Sequence, residues 1–286
     1  MMIKIFSRLI KLLFRIAPPV GVRVAFQLFC WPMGGKIRNR EERIRSKARK
    51  THSFLNGKLI RQLEWGDGDK TALLVHGWAS NGGGLGGFVE PLTNAGYKVV
   101  AFDGPAHGES EEHTANILEF SGVIADLLQK LDSVDTVISH SFGSAATVMA
   151  LGEHPNTCVP NLVMLTTPDG LEELALEFSR FMKLSKTDHR KLVNYIAKRL
   201  DRPVEEVDVH KMGHRVNANC VMLMHGKKDS VLPFEGAKRV AEQWQGLEFV
   251  ALEKTGHYRM LWDPEIRERV ISFVEIDTIR YAGSGR

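Results

Sequence analysis

Beyond residue 70 the chain alternates short, almost unbroken apolar runs with longer stretches of helical periodicity. Residues 71–75, 97–102, 136–138, 162–165, 220–224 and 247–252 are apolar nearly throughout, which predicts strands buried on both faces. Residues 88–94, 115–131, 145–151 and 264–273 lie between or after these runs and predict helices. Such alternation closes as an α/β fold, a mostly parallel sheet covered by helices on each side. Ahead of it, residues 51–65 alternate apolar and polar positions around Asn56-Gly57, a hairpin signal that adds antiparallel strands at one sheet edge. Residues 170–215, rich in Leu, Phe, Lys and Arg at helical spacing, interrupt the alternation. They are expected to form a small helical cap inserted over the site, which leaves 51–169 and 216–286 as the core.

The first 50 residues follow a different pattern and are expected to form a helical arm. In residues 3–16, Lys4, Ser7, Arg8, Lys11 and Arg15 fall within an arc of about 100° at helical spacing, with apolar residues filling the rest. Charges interrupt the segment too often for a membrane span. They are also interleaved, whereas a secretory signal gathers them at the front, so a cytoplasmic protein is expected. Two readings of this helix stay open: an arm covering a groove of the main domain, or a helix lying on an anionic membrane surface. Ala17-Pro18-Pro19 ends it, and a second apolar piece runs over residues 20–30 to Trp31-Pro32. The mixed charges of residues 38–50 predict a solvated helix or linker.

Composition narrows the class without deciding it. The 286 residues suffice for one large domain, or one domain with an insertion, and 43% apolar with 25% charged residues is ordinary for a globular protein. A formal charge of +4 does not point to nucleic acid. Cys30, Cys158 and Cys220 are scattered and odd in number, which fits free thiols in a reducing compartment. No zinc-type spacing and no phosphate-binding glycine loop is present, so neither metal nor cofactor is expected. His210 and His214, four residues apart, lack a third ligand.

The chemistry gathers around Ser141. The apolar run 136–138 leads into Ser139-His140-Ser141-Phe142-Gly143-Ser144 and then the predicted helix at 145. A serine between a strand and a helix, with small residues two positions away on each side, is the nucleophile-elbow pattern. The sharp turn strains the central residue and demands small neighbours, a role met by Ser139 and Gly143. A serine hydroxyl needs a base, and the base needs a group that fixes its tautomer. His257, after the last predicted strand and preceded by Gly256, is the best base. Asp229, in the turn after the strand at 220–224, is the favoured orienting acid, and Asp169, following Thr166-Thr167-Pro168, is its competitor. His140 neighbours the nucleophile, but strand alternation predicts that its side chain points away.

Over about residues 51–275 the sequence resembles the α/β-hydrolase family. Ser141, Asp229 and His257 match its chain order of serine, acid and histidine. His76-Gly77 and the segment Asp103 to Ser110 resemble its loops after the third and fourth strands, although Gly104-Pro105-Ala106-His107-Gly108 stands where Pro-Gly-His-Gly is common. The resemblance implies an oxyanion hole from the backbone N–H groups of Trp78 and Phe142. The start of a helix at Phe142 suits negative charge. His76, Gly77, Asp103, His107, His140, Asp169 and His225 are then expected to shape or brace the site. The resulting expectation is a serine esterase acting through an acyl-enzyme on a small-molecule acyl ester. Thioester cleavage or acyl transfer by the same three residues is the alternative. A non-catalytic hydrolase fold that binds a lipid or a partner is a third reading. Phe178, Phe181 and Met182 are candidates either for an apolar acyl pocket or for cap core.

Overall fold

The computed structural model describes residues 2–33 and 35–282, with side chains described for 5–33 and 35–275. The outermost residues of the arm (Met1) and of the core (283–286), and the side chain of Lys4, lie outside this description.

In chain order, α1 (Met2–Ile16), α2 (Pro18–Phe29) and α3 (Asn39–Arg45) precede the hairpin of β1 (Arg49–Leu55) and β2 (Lys58–Trp65). The alternating part runs β3 (Lys70–Val75), α4 (Val89–Asn94), β4 (Tyr97–Phe102), α5 (Ile117–Lys130), β5 (Thr136–His140), α6 (Phe142–Glu153) and β6 (Val159–Leu165). Between β6 and the next strand stand α7 (Leu171–Met182), α8 (Lys186–Leu200) and α9 (Val209–Met212). The chain closes with β7 (Ala218–Gly226), α10 (Phe234–Gln243), β8 (Leu247–Leu252) and α11 (Pro264–Ala282).

The eight strands form one sheet in the order β1-β2-β4-β3-β5-β6-β7-β8. β1 and β2 pair antiparallel at one edge across Asn56-Gly57, both left-handed in backbone, and from β4 to β8 every pairing is parallel. The strands from β4 to β7 in this order are covered on both faces, while β8 lies at the sheet edge with only Val250 buried. One face packs α5, α6 and the arm around Val75, Val137 and Leu162, and the other packs α4 and α11 around Leu74, Ile138 and Val163. Parallel pairing brings the carboxyl ends of β3 to β8 to one rim, where connecting loops meet. The observed α/β fold is therefore the one that the apolar runs predict.

The arm packs on the helices between β6 and β7. Phe26 of α2 meets Tyr195 of α8 with ring centroids 5.2 Å apart, and Phe29 meets Phe178 of α7 at 5.4 Å. Met182 is buried and Phe181 is exposed. Pro18 stops α1 but starts α2 at once, the position in a helix where a missing N–H costs nothing.

Most of the stretch 38–50 is exposed, as expected of a solvated helix or linker, and two of its charged residues depart from that character. Glu41 and Arg45, four apart on one face of α3, are both buried, and Arg45 does not reach solvent at all. The charged pattern misleads because Arg45 finds its counter-charge in Asp103, 58 residues further on, where no local spacing reveals it.

Candidate active site

Ser141 is the single residue between β5 and α6, with φ 56° and ψ −125°. A non-glycine residue in that region carries on the order of 1–3 kcal/mol of strain, so its surroundings must hold it. They do so through β6: the Ser141 N–H donates to the Thr166 carbonyl at 3.1 Å, and Ser144 Oγ donates to the same oxygen at 3.0 Å. The elbow also presses on the loop after β3. A Cβ at Gly143 would lie 2.3 Å from the His76 carbonyl oxygen, and one at Gly77 would lie 2.9 Å from His140 Nδ1 and 3.1 Å from Ser141 Cβ. Both positions need glycine for that close approach. Ser139 tucks its hydroxyl onto the Val163 carbonyl at 3.2 Å.

His257 follows β8, and its Nδ1–H donates to Asp229 Oδ2 at 2.8 Å. This bond leaves Nε2 on the opposite edge of the ring, and both His257 and Ser141 line one cavity of about 240 Å³. Asp229 sits in the turn after β7. Burial alone would raise its pKa, but the bond and charge of His257 outweigh that. With the N–H groups of Leu232 (2.9 Å) and Val231 (2.8 Å), they hold it down at about 2. Thr166 Oγ1 donates to the same carboxylate at 3.1 Å and lies 2.9 Å from His225 Nδ1. Thr166 thus ties the elbow, through its carbonyl, to the acid, through its hydroxyl. Sequence pattern gives no sign of this role, since the left-handed backbone at Thr166 (φ 61°) appears only in the folded chain.

Asp169 is placed elsewhere. It receives His210 Nδ1 at 2.5 Å and Arg239 Nε at 2.8 Å, so it braces α9 and α10 and is bonded to neither His257 nor Asp229. Nearby, burial pushes the Asp208 carboxyl up to about 7. Among the described residues no three His, Cys, Asp or Glu side chains converge as a metal site.

His140 corrects the expectation from strand alternation. Its ring stands 4.8 Å from that of His257, and Nε2–H donates to the His257 carbonyl at 3.0 Å. The strand runs two residues past the apolar stretch, through Ser139 and His140, and the elbow follows immediately, so its last side chain enters the site. Burial, and then the neighbouring charge of His257, lower the His140 pKa to about 3, which keeps it neutral. His140 is therefore a positioning group for the His257 loop.

The loops after β3 and β4 are clamped from α3. Arg45 grips Asp103, whose carboxylate also accepts the N–H groups of Gly82 and Glu109, each at 2.7 Å. Burial would raise the Asp103 pKa, but Arg45 holds it below the usual carboxylate range. Glu41 caps its own helix through the Arg38 N–H at 2.8 Å and takes Asn81 Nδ2 at 3.0 Å. His76 donates from Nδ1 to the Gly77 carbonyl at 2.8 Å and accepts the Gly104 N–H on Nε2 at 2.9 Å, which joins the two loops. Burial lowers its pKa, so it stays in that neutral tautomer. The result fixes the backbone at Trp78. Among the described residues neither the Trp78 nor the Phe142 N–H has an acceptor.

The cavity mouth is bordered by Met33, Lys36, Arg38, Arg40 and Glu41 and by the loop after His257, with no residue of 170–215 in its lining. The Arg40 guanidinium lies 4.6 Å above the Trp262 ring, and Arg38 lies 5.7 Å from that of Tyr258. Lys36 and Arg40 have no acidic partner among the described residues.

Three comparisons agree with this architecture. A non-heme chloroperoxidase of Kitasatospora aureofaciens is 29% identical over 114 residues, which is 39% of this chain and 41% of that protein. The chain thus spans about two-fifths of that relative's length. An esterase from Exiguobacterium antarcticum superposes with a TM-score of 0.62 at 20% identity, covering 79% of this chain and all of the esterase. A membrane phospholipase A superposes at 0.64 with 17% identity, covering 93% of this chain and 96% of that one. Residues 66–209, about half of the chain, match the family described as serine aminopeptidase, S33. The chain belongs to that family of α/β-hydrolases.

Proposed function

We propose that the protein cleaves carboxylic esters through an acyl-enzyme formed on Ser141. The carrying observation is the 2.8 Å bond between His257 and Asp229 beside a serine held in the elbow of the same cavity. In this reading Ser141 Oγ attacks the ester carbonyl and passes its proton to His257 Nε2. The Trp78 and Phe142 N–H groups receive the oxyanion, and the His257 proton goes to the departing alkoxide. Water, deprotonated by the same imidazole, then attacks the acyl-enzyme and frees the acid and the serine. Asp229 stays ionised throughout and balances the imidazolium.

The mouth argues for the substrate's charge. An aminopeptidase must hold a free ammonium group, which calls for an unspent carboxylate. Glu41 is the one carboxylate among the described lining residues, and it is bonded to Asn81 and to the Arg38 N–H. Lys36, Arg38 and Arg40 border the same opening. An ester carrying a carboxylate or phosphate fits this rim better than a peptide amino terminus. The esterase and the phospholipase A among the fold neighbours agree with an ester.

Labelling with a fluorophosphonate probe, with Ser141→Ala as control, tests the nucleophile. Label retained by the variant overturns the assignment. Paired neutral and anionic esters of equal acyl length test the rim, and preference for the neutral member removes the charge argument.

A further inference from the structure

The exposed side of α1 is an interfacial surface, and we infer that it docks the protein on an anionic phospholipid bilayer. At about 100° per residue, the described positions of α1 sort into three arcs of about 60° each, with the half-buried Phe6 and Leu13 between the buried and the apolar one. Ser7, Ile10 and Phe14 form the buried arc, Arg8, Lys11 and Arg15 the basic one, and Ile5, Leu9, Leu12 and Ile16 the third. The members of this third, apolar arc are 56, 45, 52 and 67% exposed. Packing fixes which arc faces outward. Ser7 Oγ donates to the Met182 carbonyl at 2.6 Å, and a Cβ at Gly21 of α2 would stand 2.7 Å from the Phe14 nitrogen, so α1 cannot roll its apolar arc inward.

An apolar stripe left in water beside a band of cations meets the two requirements for stable attachment to an anionic membrane surface, buried hydrocarbon and charge attraction. Residues 2–16 contain no Asp or Glu to oppose a negative surface. A second copy docking by this face would bring two basic bands together, which disfavours it. No helix among the described residues is long and apolar enough to cross a membrane, so α1 lies on the surface. The face also adjoins the cavity mouth. Phe6 meets the exposed Trp31 edge-on at 6.2 Å, and Met33, whose N–H donates to the Trp31 carbonyl at 2.8 Å, lines the cavity. Tryptophan favours the headgroup level, so docking sets the mouth near the lipid. This inference concerns attachment and stands whether or not Ser141 acts on esters.

Co-sedimentation of the whole protein with vesicles tests it. Binding is expected to phosphatidylcholine mixed with phosphatidylglycerol, to weaken as salt is raised, and to be lost with phosphatidylcholine alone. Replacing Arg8, Lys11 and Arg15 together with Gln should lower affinity about a hundredfold, from about fivefold per charge. Leu9→Asp with Leu12→Asp should weaken it at least tenfold, with the thermal unfolding midpoint unchanged. If the Leu9 and Leu12 variant unfolds early, the Gln variant decides alone, since all three of its side chains are exposed. Unaltered binding by the Gln variant overturns the inference, as does failure of the native chain to bind anionic vesicles. A dimer in sedimentation velocity that Leu9→Asp abolishes would assign the face to a second copy and also overturn it.

Discussion

Arg45 and Asp103 meet through two hydrogen bonds, 2.7 Å from Nη1 to Oδ1 and 2.9 Å from Nη2 to Oδ2, with neither side chain touching solvent. Removing one member strands the other charge in the interior, at a cost of about 3–5 kcal/mol. Arg45→Met should therefore lower unfolding free energy by that amount in urea titrations. Pairing it with Asp103→Asn should restore part of the loss, because the two changes share one interaction. Destabilisation below about 1 kcal/mol for Arg45→Met would show that the clamp is dispensable.

Asp229→Asn tests the orienting acid. The amide cannot accept from Nδ1–H and stabilise an imidazolium as the carboxylate does, so kcat should fall on the order of 10⁴-fold with KM little changed. Asp169→Asn should leave kcat within a few-fold of the parent, since that carboxylate serves His210 and Arg239. Steady-state kinetics on a soluble p-nitrophenyl ester separates the two. A larger fall for Asp169→Asn would reverse their roles.

Thr166→Val keeps the side-chain shape but deletes the hydroxyl that donates to Asp229. A hydrogen bond to a charged group contributes about 1.5–3 kcal/mol, so stability should drop within that range. Activity should fall through kcat, with Thr166→Ser restoring most of it.

Stability should decline on mild acidification. Burial is the main cause that lowers His107 and His140 to about 3, against about 6.5 in an unfolded chain. Depressed folded values mean that the stability present above pH 6.5 is lost as pH falls toward 3, because the unfolded chain takes up the protons first. Near pH 5 each histidine should add a slope of roughly 1.4 kcal/mol per pH unit. Asp229, held at about 2, adds acid lability only below the ordinary carboxylate range. Urea midpoints measured from pH 7 to pH 4 read the effect, and His140→Gln should flatten the curve by one group's share. A flat native curve would contradict the buried neutral state of both rings.

Much of the fold was legible because strands buried on both faces leave nearly unbroken apolar runs, as 97–102 does to the residue. The run 247–252 also matches its strand, although that strand lies at the sheet edge with only Val250 buried. Ser141, Asp229 and His257 stood out as candidates because each lies in a short local string within five residues of a strand end. The helix after Ser141 begins three residues earlier than its apolar pattern, since Phe142-Gly143-Ser144 reads locally as turn. The orientation of His140 hinged on the two residues by which β5 outruns its apolar stretch. Thr166 and Arg45 were hidden for a common reason: their partners lie 63 and 58 residues away, beyond any periodicity.

The buried guanidinium carries a practical corollary. Cropping the first fifty residues to obtain a tidier enzyme would discard the cation that neutralises Asp103, and the two loops it staples would lose their anchor. The proposed docking face of α1 and the Arg45 clamp on the loops of the candidate site share one continuous stretch of backbone. Separating them calls for point changes on the outward face of α1, since a deletion would dismantle both.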